Sequence, residues 1–127
     1  MKFNITTKGK YDIVDITSSV KNLVNINEGI CVVCVLHTTA GLVVNEFEPN
    51  IAEDYIEFFK NLAPDKNWKH NKIDANAEAH LLSTITGSSK TFIVKNNKLI
   101  LGTWQRILLC EFDGPRNREV IVYSKSE

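Results

Sequence analysis

The chain has no long apolar run, no excess of either charge and few cysteines, and each shortage excludes something. No apolar stretch in its 127 residues approaches the roughly 20 that a membrane-spanning helix needs, so no membrane partner is expected. Fifteen basic and fifteen acidic side chains cancel. Without a basic stripe there is little to neutralise the phosphates of a nucleic acid, and none is expected as a partner. Met1-Lys2-Phe3-Asn4-Ile5-Thr6 alternates polar with apolar and lacks the apolar core, about 7–15 residues, of a signal peptide. Three cysteines, an odd number, suit a reducing compartment. The expectation is a soluble, cytoplasmic protein. Cys31 and Cys34 form a C-x-x-C, but a redox pair normally sits at a helix N-terminus. Three positions apart on a strand, the two thiols point to opposite faces and read as small core residues.

What is present is enough for one domain over residues 1–127, since 43% of the side chains are hydrophobic. Residues 2–7 and 11–16 read as short strands. Thr17 or Ser18 is placed to cap a short helix whose Val20, Leu23 and Val24 share a face. Residues 30–37 are a continuous, β-branched run of the kind that fills a buried strand, and 42–46 make another short one. A helix starts near Pro49, with Ile51, Tyr55, Phe58, Phe59 and Leu62 at helical spacing and Pro64 just beyond. Residues 65–75 are loop-like. Asn76 caps a second helix that Gly87 stops near Thr86. Residues 90–95 and 98–102 form a hairpin about Asn96-Asn97. Thr103–Phe112 and residues 118–124 are the last strands. Trp68 and Trp104 read as packing residues. Hairpin-linked strands outnumbering helices indicate an α+β fold with a mixed or antiparallel sheet.

Three positions concentrate imidazole: His37, His70 and His80 are the only histidines. His37 ends the buried strand. His80 lies near the start of the second helix, where the exposed N–H groups disfavour an imidazolium and keep the ring in its metal-binding form. Three neutral imidazoles with one open position suit zinc or a similar divalent ion, with Glu46 and Glu78 as carboxylate options. Their spacing matches no contiguous zinc motif, so satisfied core and surface histidines are the competing reading. All three arginines lie between Gln105 and Arg118, whereas the other twelve basic residues are lysines. Gln105, Glu111 and Asp113 share strand parity, as do Arg116 and Arg118. The arginines are placed to clamp a phosphate and the carboxylates to hold Mg²⁺. Equally, Asp113-Gly114-Pro115 is an ordinary turn whose acids pair with the arginines. Thr38, Thr39 and Gly41 form a bend able to offer hydroxyls and N–H groups to an anion, or simply a tight turn.

Taken in order, His37-Thr38-Thr39-Ala40-Gly41, Asn45-Glu46, Asn76-x-x-Ala79-His80-Leu81, Gly102-Thr103-Trp104-Gln105 and Glu111-Phe112-Asp113-Gly114-Pro115-Arg116-x-Arg118 resemble the YjbQ-like family, also labelled secondary thiamine-phosphate synthase. The resemblance spans about residues 3–124. It implies a small α+β subunit with a mixed, strongly curved sheet of seven to eight strands and two to three helices. It also implies a homotrimer with clefts near the subunit interfaces. His37, His70 and His80 are then the implied ligands of a divalent metal, Zn or Mg. Glu46, Glu111, Asp113, Arg116 and Arg118 are the implied catalytic set, and Thr38, Thr39, Asn76 and Gln105 the substrate-binding one. The implied reaction joins a hydroxymethylpyrimidine diphosphate to a thiazole phosphate. Two alternatives stand beside it. One is a metal-dependent hydrolase of a phosphate ester or amide, with water held by His37 and His80 and Glu46 or Glu111 as base. The other is a non-enzymatic trimer that binds a phosphate-bearing metabolite.

Overall fold

Period-two alternation builds most of this molecule. The computed structural model describes residues 1–127, with eight strands and three α-helices. In chain order they are β1 (Lys2–Thr6), β2 (Asp12–Asp15), α1 (Thr17–Asn22), β3 (Gly29–Val35), β4 (Ala40–Asn45), α2 (Pro49–Leu62), α3 (Ala77–Thr86), β5 (Ser89–Lys95), β6 (Lys98–Leu99), β7 (Arg106–Glu111) and β8 (Asn117–Ser126). A 3-10 turn at Lys69–Lys72 lies within the segment expected to be loop. The fold is α+β, as the sequence indicates. Its strands divide between a five-stranded sheet, β1-β8-β3-β5-β6, and a three-stranded one, β2-β7-β4. Every ladder is antiparallel, so the sheets are antiparallel where the resemblance implied a mixed one. The long helical excursion between β4 and β5 accounts for this. It is the kind of crossover that parallel neighbours require, yet here it joins two different sheets.

The two sheets enclose one core. Cys31, Val33 and Val35 of β3 meet Leu42 of β4, Ile107 and Leu109 of β7, and Val120 and Val122 of β8. The alternate β7 residues, Leu108 and Cys110, turn the other way into a second cluster with Phe59, Leu82 and Phe112, beneath α2 and α3. β7 is thus buried on both faces, which explains its continuous apolar run. Cys31 and Cys34 do face opposite sides; Cys31 is core, but Cys34 is only half-buried on the outer face.

Local signals are met unevenly. Asn96 and Asn97 both take positive φ, 52° and 63°, the geometry of the tight hairpin turn that joins β5 to β6. Glu48 caps α2, its carboxylate accepting from Asn50 N at 2.8 Å and Ile51 N at 2.7 Å. Phe58 sits one position off the stripe that buries Phe59 and stays exposed. At α1 neither Thr17 nor Ser18 caps. The Thr17 hydroxyl instead accepts from Ile107 N at 2.8 Å and ties the helix to β7. Asn76 occupies the N-cap position of α3, but its side chain makes no capping bond; Asn71 Oδ1 takes the Ala77 N–H at 3.1 Å in its place. β7 starts only at Arg106, because Gln105 Oε1 accepts from Gly102 N at 2.7 Å and closes a turn before it. Trp104, in that turn, is 72% exposed and packs no core.

Candidate functional site

Four elements meet at one end of the sheets and leave a cleft of about 710 Å³ between them. The exit of β3 supplies Leu36, His37, Thr38 and Thr39. The turn after β7 supplies Asp113, the start of β8 supplies Arg116, Asn117 and Arg118, and the α3 end supplies Asp74, Asn76 and His80. Leu36 is the single hydrophobic residue among these eleven, so the cleft is built for a polar ligand.

Its floor is an ion pair. Arg118 donates from Nε to Glu111 Oε1 at 2.8 Å and from Nη2 to Glu111 Oε2. Nη2 also reaches the Thr39 carbonyl at 3.1 Å and the Thr39 hydroxyl at 2.8 Å. Glu111 further accepts from the Thr7 hydroxyl at 2.7 Å and from the Phe112 and Asp113 N–H groups, both at 3.0 Å. Burial alone would raise the Glu111 pKa. The bonds from Arg118, Asp113 N and Thr7 outweigh it and hold the carboxyl below its ordinary value. With five donors on two oxygens, Glu111 has no free lone pair for Mg²⁺ or for a proton in transit. Its assignment as a catalytic acid or metal ligand is therefore corrected to a brace. Arg118 keeps one free edge: Nη1 has no partner in the protein and is not sealed from solvent.

The wall beside it is a relay. Arg116 donates from Nε to the Asp113 carbonyl at 2.7 Å and from Nη2 to Asp113 Oδ2 at 3.1 Å. That same carboxylate oxygen accepts from Asn76 Nδ2 at 2.9 Å. Asn76 Oδ1 then faces His70 Nε2 at 2.9 Å. Because Asp113 fixes the amide with its oxygen toward His70, Nε2 of His70 must carry the proton. The His70 and His80 rings pack edge-to-face, centroids 4.7 Å apart, and the His80 ring itself has no hydrogen-bond partner in the protein.

His37 is fixed from the other side. Its Nε2 accepts the backbone N–H of Glu119 at 2.8 Å, while Leu36 N donates to the Glu119 carbonyl at 3.4 Å. Burial first, and Arg118 next, lower the His37 pKa below its ordinary 6.5 and favour the neutral ring.

The resemblance implied a metal held by His37, His70 and His80, and the donor set does not fit it. No three His, Cys, Asp or Glu side chains converge on one point. His37 has its Nε2 lone pair committed to Glu119 and therefore its proton on Nδ1, leaving no lone pair for an ion. Two further assignments are corrected by register. The β4–β7 ladder pairs Ala40 with Glu111 at the cleft and Asn45 with Arg106 at the opposite end. Glu46 and Gln105 lie one residue past that far end, about 20 Å from the cleft along the strands at ~3.4 Å per residue. Glu46 is exposed there, with its carbonyl accepting from Tyr55 OH at 2.7 Å, and Gln105 closes its own turn. Glu78 is buried on the far side of α3, near Tyr11. The hydrolase reading, with His37, His80 and Glu46 or Glu111, thus lacks its water-holding set. Sequence reasoning missed Asp74 and Asn117, which line the cleft, and Thr7, which braces it; no local pattern marks any of them.

The family described as UPF0047 protein YjbQ-like matches residues 1–127. A UPF0047 protein of Archaeoglobus fulgidus is 46% identical over 123 residues, covering 96% of this chain and 98% of that protein. The UPF0047 protein YugU of Bacillus subtilis is 38% identical over 121 residues, covering 90% and 89%. Among solved structures, a hypothetical protein from Aeropyrum pernix superposes with a TM-score of 0.97 at 43% identity, covering 100% of this chain and 98% of that one. A yjbq/upf0047 family protein of Clostridium acetobutylicum does so at 0.93 and 36%, covering 98% and 99%. With the whole chain matched and its fold shared, this protein belongs to the YjbQ-like, UPF0047 family.

Proposed function

We propose that the cleft binds the phosphate or diphosphate of a small organic molecule and supports a weak transfer reaction of the thiamine-phosphate synthase type. The observation that carries this is the convergence, in a polar cleft, of the Arg116 side chain and the free Nη1 edge of Arg118 beside Thr38, Asn117 and His80. Planar guanidinium forks match phosphoryl oxygens, and one apolar residue in eleven does not make a site for an apolar ligand.

In the transfer, the bond between the pyrimidine methylene carbon and the diphosphate oxygen breaks, and the oxygen leaves with the electron pair. The thiazole nitrogen supplies the pair for the new C–N bond. Negative charge gathers on the departing diphosphate, where Arg116 and Arg118 Nη1 stabilise it. A Mg²⁺ brought in with the diphosphate, as part of the substrate, would neutralise part of its charge. Asp74 and Asp113 are the carboxylates that line the cleft for it. His80, whose ring lines the cleft and has no protein hydrogen-bond partner, is free to hydrogen-bond the ligand.

The test is direct. Protein purified from a host lacking its own synthase is given both precursors with Mg²⁺, and thiamine phosphate and pyrophosphate are measured. Formation of both, reduced in Arg116→Ala, supports the reading; no product above the blank sinks it. Ligand-dependent thermal stabilisation without turnover would instead identify a metabolite-binding protein.

A homotrimer belongs to the same reading. The outer face of the five-stranded sheet carries Ile30, Val32, Cys34, Ile93, Ile121 and Tyr123, and Ile30, Ile93 and Tyr123 are exposed. Few monomers leave such a contiguous apolar face in water. Sedimentation equilibrium gives the assembly; a monomer at all concentrations refutes it.

A further inference from the structure

Building on the cleft as a phosphate site, we propose that His37 is a fixed N–H donor to the bound phosphate, locked in its Nδ1-protonated tautomer by the backbone of β8. The lock is chemical. A backbone N–H is an obligatory donor, and that of Glu119 meets His37 Nε2 at 2.8 Å. Nε2 therefore presents its lone pair, and the neutral ring must carry its proton on Nδ1. A proton added to Nε2 would break this bond, and burial and Arg118 disfavour that charge as well.

The donor faces the cleft. His37 lines it, and Nδ1 makes no hydrogen bond inside the protein. Ser124 Oγ is the only sealed side-chain polar atom without a partner, so Nδ1 keeps access to solvent, and the opening that His37 lines is this cleft. The same reasoning places Arg118 Nη1 there. Two donors, one neutral and one cationic, are thus held in fixed orientation by buried neighbours: the Glu119 backbone for one and Glu111 for the other. Neither can accept a hydrogen bond or coordinate an ion. A ligand that satisfies both must bring acceptor oxygens, as a phosphoryl group does. The residue that the family resemblance marks as a metal ligand becomes a positioning donor. It needs no protonation to act, so its contribution persists through neutral pH.

Isotope-labelled histidine NMR on the whole chain tests this at neutral pH, with inorganic phosphate and then pyrophosphate as probes. The expected spectrum shows His37 with its proton on Nδ1 and a bare Nε2, and the Nδ1–H signal moves as phosphate is added. His37→Gln can still accept the Glu119 N–H but puts no donor at the Nδ1 position. It should fold and bind phosphate about tenfold more weakly, the loss of one charge-assisted hydrogen bond. A proton on Nε2, an Nδ1–H signal unmoved by phosphate, or affinity of His37→Gln within roughly twofold of the parent would each overturn the proposal. So would failure of the parent to bind either probe. Phosphate binding with the expected His37 signature, but no thiamine phosphate formed, would leave this donor standing and refute only the transfer reaction.

Discussion

Two arginine–carboxylate pairs sit two residues apart on the same turn, and their surroundings give them opposite roles. Side-chain exposure is 3% for Arg118 and 0% for Glu111, but 52% for Arg116 and 21% for Asp113. Thr7, Thr39 and two backbone N–H groups satisfy the first pair everywhere except at the Nη1 edge of Arg118. The second retains a solvated guanidinium. A buried pair cannot surrender a partner to a ligand, because removing one charge strands the other in a low-dielectric site. An exposed pair gives up little when a phosphate displaces its carboxylate. The difference makes the first pair the frame of the cleft, offering a ligand only its Nη1 edge, and the second a side chain free to bind, although the residue types are the same.

The largest effect should come from breaking the frame. Glu111→Gln leaves Arg118 buried with no counter-charge and should cost about 3–5 kcal/mol of unfolding free energy, read by urea denaturation. A loss below about 1 kcal/mol, the range of a surface pair, would erase the distinction between the two pairs. Next in size is Thr7→Val. The Thr7 hydroxyl donates to Glu111 at 2.7 Å and accepts from Arg116 N at 2.9 Å, so it links the pairs. Its loss leaves buried polar groups unmet and should cost about 1–3 kcal/mol. Arg116→Ala should behave differently. Stability should change by less than about 1 kcal/mol, while phosphate affinity, measured by calorimetry, should fall about tenfold through loss of a bidentate donor. A large stability loss with unchanged affinity would move Arg116 into the frame.

The sequence carried the elements well and the depth of the site poorly. β3 and β7 declared themselves by apolar runs, α2 by its stripe after Pro49, and the β5–β6 turn by Asn96-Asn97, because those signals are local. The motifs also placed His37, His80, Asp113 and Arg116 at one cleft. Parity then failed where the strands end. Glu111 closes β7, so the chain turns before Asp113 and the two carboxylates do not share a face. Arg116 precedes β8 and stays outside, whereas Arg118 is inside it and points into the core side. Gln105 and Glu46 were misplaced because ladder register is a long-range property that no single segment encodes. The Asn76 side chain left its cap for Asp113 and His70, partners 37 and 6 residues away. The tautomer of His37 was out of reach for the same reason, since it is set by a backbone N–H 82 residues distant.

The smallest expected effect uses pH to compare the floor with the exit of β3. Both Glu111 and His37 have folded pKa values below their ordinary 4.5 and 6.5. For each, the unfolded chain binds protons first as the solution is acidified, so each contributes stability that is present above its ordinary value and lost as pH falls through its folded one. The windows do not coincide. Acidification from neutral should first show a slight loss that begins near 6.5, as His37 protonation competes with the single Glu119 N–H bond, worth roughly 1 kcal/mol. A second loss should start only below 4.5, when protonation reaches the Glu111–Arg118 floor. His37→Gln should remove the first step and leave the second, and Glu111→Gln should keep the first and shrink the second to the share of Asp15 and Glu48, whose carboxyls are also held below their ordinary values by hydrogen bonds. A single acid transition unchanged by both substitutions would mean that neither group controls acid stability.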